Sequence, residues 1–211
     1  MDNIPPLMDP PQFLALAAAL GWASGFRLYA ALFLTGLAGY MGWIELPTGL
    51  HILQHPAVLG ASGFMLFVEF FADKIPYVDS VWDAVHTLVR IPAGAALAAG
   101  ALGADGTAMA WVAALVGGGL AATSHATKMT TRAAVNTSPE PFSNVAVSLF
   151  EDGLVVFLLW LSAAHPALFT IVLVVSIVVA IVLLVVLVKF LKAVIREVQG
   201  FMAGRGMPRE Q

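Results

Sequence analysis

Arg27, Glu69, Asp73, Asp79, Asp83, His86, Arg90, Lys128, Glu151 and Asp152 are the residues whose types and placement suit chemistry, because they lie within or against stretches apolar enough to cross a bilayer. An ionisable side chain at the membrane centre costs about 2.5–3.5 kcal/mol or more unless it is paired or faces water, so each marks a candidate site. Glu69 and Asp73 are four residues apart in LFVEFFADK and point the same way from one helix. Asp79, Asp83, His86 and Arg90 recur at spacings of four, three and four, again one helical face. Asn144, Ser148 and Asp152 follow at intervals of four beside Glu151, and Ser124, Lys128 and Thr131 or Arg132 share a further face. Oxygen-rich faces of this kind suit protons and hard cations. Glu69, Asp73 and Asp152 are therefore the candidate ligands for a bound metal cation, and no other cofactor is expected. Arg27 and Lys128 would neutralise these carboxylates in an empty state or hold an anionic solute, with Arg27–Glu69 and Lys128–Asp152 as the expected pairs. A competing reading is that the same pairs only hold a bundle together, although buried ion pairs are poor stabilisers.

The elements that must position these groups are membrane helices. The chain has 211 residues, 60% hydrophobic and 11% charged, with a mean hydropathy of +0.89, against about 25% charged in an ordinary globular domain. Hydropathy with Gly, Pro and charge punctuation predicts six helices, near 12–41, 56–76, 80–103, 108–135, 142–164 and 167–196. The expected fold is an all-α polytopic membrane protein of about six spans, one transmembrane domain over 1–196, followed by a basic cytoplasmic tail over 197–211. Lys74, Lys128, Arg132 and the five cations from Lys189 to Arg209 fall on one side, and 42–55, 103–107 and 164–166 carry no Lys or Arg. The positive-inside rule then puts both termini in the cytoplasm. With no cysteine, disulfides, thiolate metal sites and cysteine nucleophiles are excluded.

Both halves carry a cation in the first helix (Arg27; Lys128) and acids in the second (Glu69 and Asp73; Glu151 and Asp152), the pattern of two inverted three-helix repeats over 12–103 and 108–190. Chance similarity between apolar helices is the alternative, since 101 residues separate the cations and 82 the acids. Pro92 interrupts the third helix where its polar face ends, and Gly117 to Gly119 interrupt the fourth. Half-polar, interrupted helices point to a binding site in transporters. Ser80 or Asp79 is expected to cap the third helix and Ser138 the fifth. His51 and His55, four apart with no third ligand, read as a polar loop. Small residues at Gly36, Gly39, Gly94, Ala98 and Gly117 permit close helix contact. There is no phosphate loop, nucleophile elbow or His-Glu-x-x-His motif.

The blocks GWASGFRLYAALFL, VEFFADKIPYVDSVWDAVHTLVRIPAGA, SHATKMTTRAAVNTSPEPFSN and LFEDGLVV resemble the bacterial membrane family catalogued as domain of unknown function 4126, over about residues 15–185. That resemblance implies the bacterial inner membrane as location and supplies no activity. Glu69, Asp73 and Lys74 also resemble the Glu-x-Gly-Asp-Lys-Ser/Thr motif of the Golgi-type cation/proton exchangers, itself a small inverted repeat of six spans. Here the Glu-to-Asp spacing is one residue longer, Ala72 replaces the Gly and Ile75 the hydroxyl residue. The expected function is a small proton- or cation-coupled transporter rather than an enzyme, with a polar cavity opening from the cytoplasmic half. The alternatives are a membrane-embedded lipid-headgroup enzyme or lipid carrier, in which Arg27, Arg90, Lys128 and Arg132 would grip a phosphate, and a structural or assembly subunit. Expected partners are the bilayer and a small solute, ion or lipid, with no nucleic acid. The oligomeric state stays open, a homo-oligomer included.

Overall fold

The computed structural model describes residues 9–102, 108–137 and 141–202. They fold entirely into helices: α1 (Pro10–Tyr40), a 3-10 segment (Thr48–Gln54), α2 (Pro56–Ala72), α3 (Val78–Ala101), α4 (Ala108–Val135), α5 (Pro141–Ala164) and α6 (Pro166–Met202). Local signals explain the starts. Pro10 and Pro56 occupy first-turn positions, where a missing N–H costs nothing. Gln12 Oε1 accepts from the Asp9 amide (2.7 Å), and His55 Nδ1 accepts from the Ala57 amide (3.2 Å). By length and apolarity α1, α3, α4, α5 and α6 each suffice to cross a bilayer, and the 3-10 segment with α2, bent by 70°, makes a sixth candidate. The polytopic all-α fold expected from the sequence is thus the fold observed.

The course of α1 differs from the expected single span. Arg27 leaves helical geometry (φ −144°, ψ 78°) and splits α1 into arms of residues 10–26 and 28–40. A straight helix of 31 residues would hold its ends about 45 Å apart. Instead Pro10 and Phe13 share a cavity wall with Pro47 and Thr48. Leu16 of the first arm lines another with Leu34, Thr35 and Ala38 of the second. Both arms lie along α5: Gln12 Nε2 donates to the Ala163 carbonyl (3.2 Å) near its end, and Arg27 Nη2 donates to Ser148 Oγ (2.8 Å) four turns back. α1 is therefore a hairpin whose two ends share one face of the bundle and whose tip is Arg27. This corrects the sequence reading. α6 starts beside the Pro10 end of the bundle and runs away from it, so Pro10 and Met202 lie at opposite ends of the bundle. The physical reason is that hydropathy registers apolar length and is blind to a one-residue reversal.

Close packing seats the hairpin. A β-carbon at Gly21 would lie 2.8 Å from Gly117 Cα, and one at Gly117 would meet the Gly94 carbonyl at the same distance, so α1, α3 and α4 meet backbone to backbone. α1 is the most enclosed element, contributing Leu16, Leu20, Trp22, Phe26 and Leu28 to the core. α4 runs unbroken for 28 residues, so the hairpin of the first half has no counterpart at the start of the second. Two further expectations shift. The residue before α3 is Tyr77, at φ 68°, and Asp79 Oδ1 instead accepts from the neighbouring Ser80 amide (2.6 Å). α6 continues to Met202, so the first residues assigned to the tail are helical. Ser138, Arg205 and Arg209 lie outside the described residues.

Candidate functional site

The broken tip of α1 needs partners for the carbonyls it releases, and α4 supplies them. Ser124 Oγ donates to the Trp22 carbonyl (2.8 Å) and Lys128 Nζ to the Phe26 carbonyl (3.1 Å), while a His125 ring nitrogen lies 3.3 Å from the Gly25 carbonyl. These three residues lie on one face of α4, and Gly25 admits them because any side chain there would collide with Ser124. Unwound backbone satisfied by neighbouring side chains is the permitted form of irregular structure at membrane depth.

Around that tip the ionisable residues converge. Arg27 pairs with Asp73 through Nη1 and with Asp152 through Nε (3.0 Å), and its Nη2 lies 3.8 Å from Glu151. Lys128 pairs with Asp73 (2.5 Å) and Asp83 (3.1 Å). Arg90 bridges Glu69 (2.7 Å) and Asp83 (2.6 Å). Arg132 pairs with Glu151 (2.6 Å), donates to both oxygens of Asn144 and to the Asp73 carbonyl, and approaches Asp79 (4.0 Å). Lys74 sits over the Phe70 ring and reaches Asp152 (3.4 Å) and Ser148 (3.2 Å). Among the described residues the cluster sets six carboxylates (Glu69, Asp73, Asp79, Asp83, Glu151, Asp152) against five cations (Arg27, Lys74, Arg90, Lys128, Arg132), a formal excess of one negative charge.

The cluster is closed. Arg27, Arg90, Lys128, Arg132, Glu69, Asp73, Asp79 and Asp83 have no exposed side-chain surface, whereas Lys74 and Asp152 retain 17% and 23%. Those two are the most exposed members of the cluster among the described residues, Lys74 from the α2–α3 turn and Asp152 from α5. Glu69 Oε2, Asp73 Oδ1 and Asp83 Oδ2 are buried without a hydrogen-bond partner among the described residues. Each is the second oxygen of a carboxylate already ion-paired, so the cluster holds unused acceptor capacity.

Most residues expected to form a site are here, in altered pairings. Arg27 binds Asp73 and Asp152, Glu69 belongs to Arg90, and Lys128 binds Asp73 and Asp83, so neither expected pair forms. The reason is depth along the helices: Glu69 lies one turn further up α2 than Asp73, level with Arg90. Ser148 joins as an acceptor for Arg27 and Lys74, and Asn144 as one for Arg132. Ser124 serves the α1 break instead. His86 stands aside, stacked on Trp82 (4.1 Å) with its Nε2 3.1 Å from Tyr29 Oη. Glu69 is held by Arg90 while Asp73 and Asp152 are both held by Arg27, and no group of three His, Cys, Asp or Glu among the described residues is placed to hold a metal ion. His55 caps α2 and His51 Nε2 reaches the Leu46 carbonyl (2.9 Å).

Sequence reading did not assign His125 or Asn136 to the site, and it named Arg132 only as a phosphate ligand in the lipid alternative and Lys74 only within the exchanger-like motif. Arg132 carried a signal, four residues beyond Lys128 on its face. Asn136 bonds Asp79 (2.9 Å) and Ser80 (3.0 Å), tying the end of α4 to the start of α3. Lys74 reads as a loop cation until the turn is seen folded over α5.

No curated protein and no solved structure matches the chain. The family model described as Domain of unknown function (DUF4126) matches residues 14–186, most of α1 through α6, and the chain belongs to that family.

Proposed function

We propose that this chain is a small membrane transporter coupled to a proton or a cation, and that the charge cluster at the tip of the α1 hairpin is its working centre. The observation that carries the reading is a helix broken at Arg27 in a fully buried position, with its freed carbonyls and its guanidinium both committed to charged or polar residues of α2, α4 and α5. Discontinuous helices meeting ionisable residues at membrane depth are how transporters build ion sites. The excess of one negative charge fits the binding of one proton or one monovalent cation. It also keeps the exchanger analogy at Glu69, Asp73 and Lys74 in play. Lys74 and Asp152 form the water-facing end of the cluster. The clustered cations of the Lys74, Arg132 and Lys189 to Arg196 face support a cytoplasmic placement of that face by the positive-inside rule, and the family resemblance supports the inner membrane of a bacterium as the location. The lipid-phosphate reading is less favoured, because Arg27, Arg90, Lys128 and Arg132 are already held by carboxylates and none is exposed.

The test is reconstitution into proteoliposomes containing a pH-sensitive dye, with imposed proton, Na⁺ and K⁺ gradients. Protein-dependent proton flux linked to one gradient is expected, and Asp152→Asn should abolish it while the protein still purifies as a uniform species. Absence of flux under every gradient would overturn the proposal, and turnover of lipid headgroups in its place would favour an enzyme.

A further inference from the structure

Glu151 differs from the other carboxylates of the cluster in having a second environment. Arg132, Arg27 and Lys128 all approach its Oε2 (2.6, 3.8 and 4.0 Å), so Oε1 is the oxygen left for the other side. On that side lies a cavity of about 290 Å³ between α1, α4, α5 and α6, and Glu151 lines it. The remaining wall is mostly apolar and aromatic, with Trp22 and Phe26 from the hairpin, Phe150 from α5 and Val179 from α6, and is interrupted by Thr127, Thr131 and Ser176. Phe150 and Val179 are 69% and 49% exposed on the bundle's outer surface, so the cavity opens sideways toward lipid rather than toward either aqueous face.

We infer that this cavity binds a small organic ammonium ion with an apolar body, its charge against Glu151 and its body among Trp22, Phe26 and Phe150. Three features select this class. The aromatic faces and the carboxylate both favour a cation, and the rings favour one that is weakly hydrated. The cluster's formal excess of one negative charge accommodates a single positive charge and no further anion. The volume lies at the small end of ligand cavities, about 300–1,000 Å³, which excludes bulky dyes and whole phospholipids. A lateral opening suits a molecule that partitions into the bilayer before it binds. The inference rests on the transporter reading for its meaning, since such an ion would be the cargo, but binding is measurable without transport.

The experiment is calorimetric titration of the full chain in detergent with benzyltrimethylammonium, its neutral carbon isostere neopentylbenzene, and phenylacetate. The ammonium ion is expected to bind at least about tenfold more tightly than the isostere, as ion pairing with a buried carboxylate and cation–π contact with the rings would give. Phenylacetate should not bind. Glu151→Gln should erase the preference. Because that change also strands Arg132, Val179→Trp, which fills the cavity from α6 without touching a charge, should abolish binding with the unfolding temperature unchanged. Equal binding of the isostere, preference for phenylacetate, no binding of the ammonium ion, or binding that survives Val179→Trp would each overturn the inference. Binding without flux in proteoliposomes would instead overturn the transporter reading alone.

Discussion

Replacing Arg27 by Ala should destabilise the protein by about 3 kcal/mol, and the partner with which that loss couples is set by geometry. Removing one member of a buried ion pair costs about 3–5 kcal/mol, because an uncompensated charge is left in low dielectric. Arg27 serves Asp73, Asp152 and Ser148 with no exposed surface. Two of these keep other cations, Lys128 at 2.5 Å from Asp73 and Lys74 at 3.4 Å from Asp152, which places the cost at the lower end of the range. Arg27→Ala combined with Asp73→Asn should then cost less than the sum of the single changes, by about 1–3 kcal/mol, as for residues in contact. Combined with Glu69→Gln, the losses should add to within about 0.5 kcal/mol, because Glu69 is held by Arg90 at 2.7 Å. Chemical unfolding in detergent micelles, followed by tryptophan fluorescence, measures both cycles. Coupling to Glu69 with additivity to Asp73 would refute the arrangement of the cluster.

Lys74→Ala should cost under about 1 kcal/mol in the same assay, since its pair with Asp152 is partly solvated and such pairs are worth little. Single cysteines at Gln12 and Trp43 should react with an impermeant reagent from the same side of a vesicle and one at Lys192 from the other, and labelling of Gln12 and Lys192 together would show α1 crossing straight. Gly25→Val should cost more than about 2 kcal/mol by forcing α1 off Ser124, whereas Gly119→Ala, with open space around it, should change stability by less than about 0.5 kcal/mol. Thermal unfolding of the purified variants checks both.

Where the sequence was legible, it was so through periodicity. The spacing of Asp79, Asp83, His86 and Arg90 placed all four on the buried side of α3, and helix boundaries for α4 and α5 came within a residue or so of those observed. What periodicity cannot carry is depth and direction. Glu69 and Asp73 share a face yet bind different cations because they stand at different heights, and height is fixed by the packing of Gly21, Gly94 and Gly117 rather than by anything local to α2. The reversal at Arg27 was invisible for a related reason. The flank LYAALFL is a good helix former and GWASGF, despite its two weak helix formers Gly21 and Gly25, continues the apolar run, and only the partners waiting on α2, α4 and α5 make a break there tolerable.

That reversal sets an order on how the protein is made. The hairpin leaves the ribosome before α2 to α6, but its tip carries a guanidinium whose carboxylates, Asp73 and Asp152, are synthesised about 45 and 125 residues later. Neither arm can settle at depth alone, because the tip would sit in hydrocarbon unpaired. The hairpin therefore cannot complete its tip until α2, α4 and α5, all made after it, have supplied the slot that receives it.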